Sequence, residues 1–297
     1  MADNSPPKLR VAVVGARGRL GSPLCVELEK EHEVIKLGRD DLNLERPGEI
    51  GKKLEGLQCD VLVNTAAMTS VDDCEGRKQV ALRVNAEAAG ALANFCRRQS
   101  ARMIQISTDF VFNGKATKPY LETDPVDPIN VYGATKLAGE GMVLDASEDN
   151  LVVRVSWVYG HAKQSFPQWL LGLASRMSEI AIPGDKIASP TCAESFAKAA
   201  KVLVRDPGIS QLLHFCNPPG VSYFEFGKEI IARAKATGHE GELAEIIPNK
   251  LTDVEDFIAK RPPYSVLGTN RLEGILGEEL ETWPETLDRF FSGEQRA

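Results

Sequence analysis

The stretch LRVAVVGARGRLG, Leu9 to Gly21, runs from an apolar, β-branched segment straight into three evenly spaced glycines, Gly15, Gly18 and Gly21. Such a run ending at glycine reads as a buried strand, and the LGSPLCVELEKE that follows reads as a helix. Glycines at a strand-to-helix turn let the backbone approach a pyrophosphate. The helix start turns its free N–H groups and positive dipole end toward the phosphates. Glycine-rich turns also arise for steric reasons alone, so the motif draws its weight from standing after the first strand and before a helix.

Outward from this turn the pattern repeats. HEVIKLG (32–38), CDVLVNTAA (59–67), RMIQIST (102–108) and NLVVRVSWVYG (150–160) read as strands, and QVALRVNAEAAGALANFCRRQ (79–99) is apolar at helical spacing. Strand and helix in alternation imply right-handed crossovers, hence an α/β fold: a doubly wound, Rossmann-like parallel sheet with its ligand site at the carboxyl ends of the strands. Past Gly160 the alternation weakens. Helices are expected in SFPQWLLGLASRM, behind the proline of SPTCAESFAKAAKVLVRD, and in VSYFEFGKEIIARAKATG, with a late strand in QLLHFCNPPG. The expected division is a dinucleotide-binding domain over 1–160 plus roughly 188–217, and a smaller C-terminal substrate-binding region over roughly 161–187 and 218–297.

Composition limits the function classes. The 297 residues are 43% hydrophobic and 26% charged with a net charge of −7, enough for a large core and without a basic stripe for nucleic acid. No apolar run suits a signal peptide or membrane span, so a cytoplasmic protein is expected. The six cysteines form no CxxC pair and the four histidines do not cluster with them, which favours packed thiols over disulfides or zinc.

Two further segments carry chemistry. In KLGRDDLNL, Arg39 stands at the end of the second strand, where an arginine accommodates the 2′-phosphate of NADP and a carboxylate the 2′-hydroxyl of NAD. NADP(H) is therefore the expected cofactor and NAD(H) the alternative, since Asp40 and Asp41 follow at once. STDFVFNG brings Ser107, Thr108 and Asp109 to the carboxyl edge after the fourth strand, where a hydroxyl can meet a substrate oxygen. In PINVYGATKLAGE (128–140), Tyr132 and Lys136 share a helical face, so phenol and ammonium meet the same space. A cation near a phenol lowers its pKa toward a useful acid and base. YxxxK alone is common on exposed helices; it gains meaning beside the glycine loop and the strand-end Ser-Thr-Asp.

Taken with VNAEAAGALANFC, VVRVSWVYG, SPT, RPPYSVLGTNRL and a tryptophan near the end, these segments resemble the extended short-chain dehydrogenase/reductases. Within them the chain is similar to the dTDP-4-dehydrorhamnose reductase family, which reduces a 4-keto sugar nucleotide with NAD(P)H. The resemblance spans nearly the whole chain and implies Thr108, Tyr132 and Lys136 as the catalytic group. It implies a cofactor site of Gly15, Arg17, Gly18, Arg19, Leu20 and Gly21, with Arg39, Asn43 and Leu44 at the adenosine end, Ala66, Ala67 and Met68 at the middle, and Tyr132 and Lys136 at the nicotinamide end. Thr69, Thr108, Asp109 and Trp157 would touch the sugar. The expected partner is a nucleotide-sugar substrate, and a homodimer is the candidate assembly.

The chain also departs from that pattern. Asn43 and Leu44 replace an acidic DLTD-like segment. Pro23 stands where bacterial members carry a glutamate for an interface magnesium, so no metal is expected. GDKIASPT puts Lys186 and Ala188 into the usual DQxGxPT, which bears on the substrate pocket. Related dehydratases have Asp-Glu where this chain has Asp109-Phe110, and phenylalanine moves no proton, which disfavours a dehydratase and, less strongly, an epimerase. A non-catalytic alternative is a regulatory subunit like the beta subunit of methionine adenosyltransferase, which resembles the same reductases; retention of Thr108, Tyr132, Lys136 and Trp157 together argues for chemistry.

Overall fold

A computed structural model describes residues 7–239 and 241–293. The opening stretch forms strand β1 (Arg10–Val14), followed by β2 (Glu33–Leu37), β3 (Val61–Asn64), β4 (Arg102–Thr108) and β5 (Leu151–Val155). With the Gln211–Phe215 strand they make one six-stranded sheet, ordered Gln211–Phe215, β5, β4, β3, β1, β2, all pairs parallel. Sheet order reverses between β1 and β3, and a crevice opens at such a point beyond the carboxyl ends. In β3, β4 and β5 every residue is buried, as strands of a parallel sheet covered on both faces should be.

Alternate residues of β1 serve opposite faces. Val11 and Val13 join the core formed with the Gly21–Leu28 and Ala193–Arg205 helices, through Leu24, Leu28, Phe196 and Leu203. Ala12 and Val14 join the other, with Leu92 and Cys96 of the Ala88–Arg98 helix and Val143 of the Val131–Leu144 helix. A third core lies past Gly160, where Leu170, Ile182, Phe226, Ile230, Trp283, Leu287 and Phe290 pack together. Its central helix, Tyr223–Ala236, starts at Ser222, whose hydroxyl accepts from the Glu225 nitrogen at 3.0 Å while Glu225 answers it, a reciprocal cap.

Two expected elements are divided. The strand expected over 150–160 is β5 plus a separate pair, Val158–Tyr159, parallel to Thr191–Cys192. The break falls at Trp157, whose φ of +42° turns the chain off the sheet, and whose ring stacks on Tyr223 at 3.8 Å. The helix expected over 79–99 contains a π turn at Arg83–Glu87 between α segments Lys78–Leu82 and Ala88–Arg98. At that turn the Asn85 carbonyl lies against Gly139, where a Cβ would collide, so the two helices approach closely. Among the described residues no helix is long and apolar enough to cross a membrane.

Candidate active site

A cavity of about 810 Å³ runs along the carboxyl ends of β1, β3 and β4. At one end Gly15 has a φ of +81°, and a Cβ there would lie 2.8 Å from Thr65 Oγ1 and 2.9 Å from the Ala66 nitrogen. Gly21 opens the following helix against the Gly15 carbonyl, leaving no room for a side chain. The turn itself therefore requires glycine, and the same lack of side chains leaves a backbone cradle suited to a dinucleotide pyrophosphate.

The residues expected from sequence to hold the cofactor divide as follows. Gly15, Arg17, Gly18, Arg19, Leu20, Arg39, Asn43, Leu44, Ala66, Ala67, Tyr132 and Lys136 line the cavity. Gly21 is buried under the loop, and Met68 packs beside Tyr132 with its backbone N–H and C=O held by the Asn85 amide at 2.8 and 3.1 Å. Arg19 has a second engagement: its guanidinium donates to the carbonyls of Gln164 at 2.6 Å and Val158 at 3.4 Å, tying the glycine loop to the chain on either side of Gly160. At the adenosine end the Asp41 carboxylate accepts from the Gly38 nitrogen at 2.8 Å and belongs to the turn. Asp40 meets Arg17 at 3.5 Å with both side chains exposed, and Arg39 adds a second exposed cation.

The chemical end is built on the Val131–Leu144 helix. Asn130 caps it, accepting from the Gly133 nitrogen at 2.8 Å, which brings Tyr132 and Lys136 inward, 9% and 4% exposed. Lys136 Nζ donates to the Ile106 carbonyl at 2.6 Å. Burial pulls its pKa down to about 8 against the Glu140 carboxylate, which favours the ammonium. Burial pushes the Tyr132 phenol above its ordinary value; a hydrogen bond with Thr108 opposes this, and Asp109 adds to the rise. The expectation of a phenol lowered by Lys136 is thus not met: burial outweighs the opposing hydrogen bond and raises it. The phenol is fully protonated at neutral pH.

The strand-end segment does two jobs. Thr108 Oγ1 accepts from the Phe110 nitrogen at 3.2 Å, capping a short turn, and donates to Asp109 Oδ1 at 3.1 Å. Ser107 donates to Glu140 at 2.5 Å, so its hydroxyl serves the buried network rather than a substrate. Thr69, Thr108, Asp109 and Trp157 all line the cavity. Trp157 also packs, edge-on to Phe226 at 4.8 Å and tilted on Phe166 at 5.1 Å, so it is core and wall at once. Phe110 lies edge-to-face with Tyr132 at 5.6 Å, an apolar wall where a dehydratase needs an acid.

Sequence reasoning missed Phe110, Lys163, Phe166 and Tyr223 among the lining residues. The last three come from the chain past Gly160, and their local sequence says only helix or loop. Asn85 was also missed; its signal was a polar residue on a helix face that otherwise reads apolar. The six cysteines are buried, and burial pushes the thiols of Cys25, Cys59 and Cys74 up to about 11, where they are inert.

A glycine cradle at one end of a cavity and a buried tyrosine, lysine and threonine at the other define an NAD(P)H-dependent oxidoreductase of the extended short-chain class. More narrowly, the chain belongs to the family described as RmlD substrate binding domain, which matches residues 9–295. It is 35% identical over 285 residues to a dTDP-4-dehydrorhamnose reductase of Burkholderia thailandensis, covering 93% of this chain and 95% of that one. It is 35% identical over 283 residues to the spore coat polysaccharide biosynthesis protein SpsK of Bacillus subtilis, covering 95% and 96%. A solved structure of dTDP-4-dehydrorhamnose reductase from Bacillus anthracis, in complex with NADP, superimposes with a TM-score of 0.89 at 29% identity, covering 97% of this chain and 100% of that one.

Proposed function

We propose that the protein reduces the C4 ketone of a 4-keto-6-deoxy sugar nucleotide, with NADPH preferred over NADH. The observation that carries this reading is that Thr108, Tyr132 and Lys136 line the same cavity as the glycine cradle. Gly15, Gly18 and Leu20 would hold the pyrophosphate, Arg17 and Arg39 the 2′-phosphate, and Lys136 the nicotinamide ribose. Bound NADPH supplies the hydride that reaches the ketone carbon. Tyr132 donates its proton to the ketone oxygen, and its raised pKa keeps that proton in place until charge develops there. Thr108 orients the phenol, while Asp109 and Trp157 contact the sugar. Phe110, Phe166 and Tyr223 exclude water from the reacting centre.

The regulatory-subunit alternative is not favoured: the relatives above include named reductases, and a binding module has no use for a buried tyrosine, lysine and threonine on one cavity. The reading includes a cytoplasmic homodimer, for which exposed Met142 beside Gly90 on the outer helical face is a candidate contact; sedimentation at micromolar concentration tests it. The function is tested by following NADPH absorbance with dTDP-, UDP- and GDP-linked 4-keto-6-deoxy sugars. Turnover with the dTDP sugar supports the assignment, and co-purification with a synthetase without any turnover refutes it.

A further inference from the structure

Lys186, noted above as a departure from the family pattern, is fully buried, 0% exposed, just before the Ile187–Ala188 strand. A buried ammonium needs partners. Its Nζ donates to Ser265 Oγ at 2.7 Å and lies 5.7 and 5.8 Å from the Phe110 and Tyr223 ring centroids. The anion that favours its charge is Asp109, itself 2% exposed, across the junction between the sheet and the second region. Ser265 also stands among the groups that favour the Asp109 carboxylate, so one hydroxyl serves both lysine and carboxylate.

We propose that Lys186 is a positioning residue for the reduction, acting through Asp109 and Ser265 to fix the Thr108 hydroxyl beside the Tyr132 phenol. The proposal rests on the reductase reading above and names a further residue of the same site.

Proton bookkeeping supports it. An ammonium only donates, so Ser265 accepts from Lys186 and turns its own O–H toward Asp109. The Asp109 carboxylate accepts from Thr108 at 3.1 Å, and the Ser265 hydroxyl favours the same charge. A protonated Asp109 offers Thr108 a neutral acceptor in place of a charged one, which weakens the bond that orients its hydroxyl. Ionised Asp109 is therefore the state that holds the Thr108 hydroxyl most firmly. Burial works against that charge, and Lys186 works for it. The other titratable groups around the pair are Tyr132, Tyr223 and Cys216 facing Asp109, each kept neutral by burial, and Arg261, whose charge opposes the Lys186 ammonium.

The test compares wild type, Lys186→Gln, Asp109→Asn and the double variant by two readouts. The first is the titration of Asp109 by carbon NMR of aspartate-labelled protein, assigned from the signal missing in Asp109→Asn. The second is the pH profile of kcat/KM with NADPH and the dTDP-linked 4-keto sugar. Lys186→Gln is expected to move the Asp109 titration, and the acid limb of kcat/KM with it, upward by about one unit, roughly a tenfold loss on that limb. In the Asp109→Asn background, where that limb is lost, the same change should leave the acid side of the profile unaltered. An unmoved Asp109 titration, or an equal shift without Asp109, overturns the proposal. Wild-type protein inert toward every keto sugar instead overturns the reductase reading. Should Lys186→Gln not fold, Ser265→Ala cuts the same bridge; it is expected to raise the Asp109 titration, and no rise overturns the proposal.

Discussion

Glu140 takes two hydrogen bonds from Arg154, from Nε at 2.9 Å and Nη2 at 2.7 Å, with both side chains 4% exposed, one helical turn beyond Lys136. Ser107 gives the same carboxylate a third bond. A buried pair of this kind adds little net stability, but removing one partner strands the other charge. Glu140→Gln is expected to destabilise the protein by about 3 kcal/mol in urea unfolding. Glu140→Leu with Arg154→Met should recover most of the loss; a double variant as unstable as the single one would contradict this.

Tyr132→Phe removes the proton donor and keeps the ring against Phe110. Turnover is expected to fall by about three orders of magnitude, within the range for general acid catalysis, with NADPH affinity nearly intact. A variant retaining a tenth of wild-type kcat would remove Tyr132 from the chemistry.

Arg39 lines the adenosine end with an exposed side chain, while Asp41 is occupied by the Gly38 nitrogen. Arg39→Ala is expected to weaken NADPH about tenfold and NADH far less, because only the former carries a 2′-phosphate. Equal changes in the two dissociation constants, measured by fluorescence, would refute the phosphate role.

Gly21 abuts the Gly15 carbonyl, so Gly21→Ala must push the loop off the helix start. Loss of about 2 kcal/mol of stability is expected together with weaker NADPH binding. Unchanged melting and unchanged affinity would show that the loop gives way freely.

The pH dependence follows from Lys136. Its pKa is lowered to about 8, so the ammonium is present below that value and is lost as pH rises through it. The Tyr132 phenol, raised by burial, keeps its proton throughout this range. Thus kcat/KM should decline above about pH 8, and a profile flat to pH 10 would mean that the Lys136 charge is not used.

Much of this was legible in the chain. The apolar run ended by glycine marks β1 because a parallel strand buried on both faces has no polar alternation to blur it. Tyr132 and Lys136 could be placed together because four residues on a helix always share a face. The split at Trp157 was not legible: a tryptophan with φ of +42° is selected by its stacking on Tyr223, distant in sequence. Nor was the π turn at Asn85, which answers to the close approach of Gly139.

The sequence by itself determined the run of strands and helices along the sheet, the glycine turn and the shared helical face of Tyr132 and Lys136, since each follows from local periodicity or fixed spacing. Only the tertiary structure decided their electrostatics. Burial raised the Tyr132 phenol and lowered the Lys136 ammonium, and the chain past Gly160 brought Lys186 near enough to Asp109 for the two charges to interact. These outcomes depend on desolvation and on neighbours from remote segments, and neither quantity is encoded in any short stretch of chain.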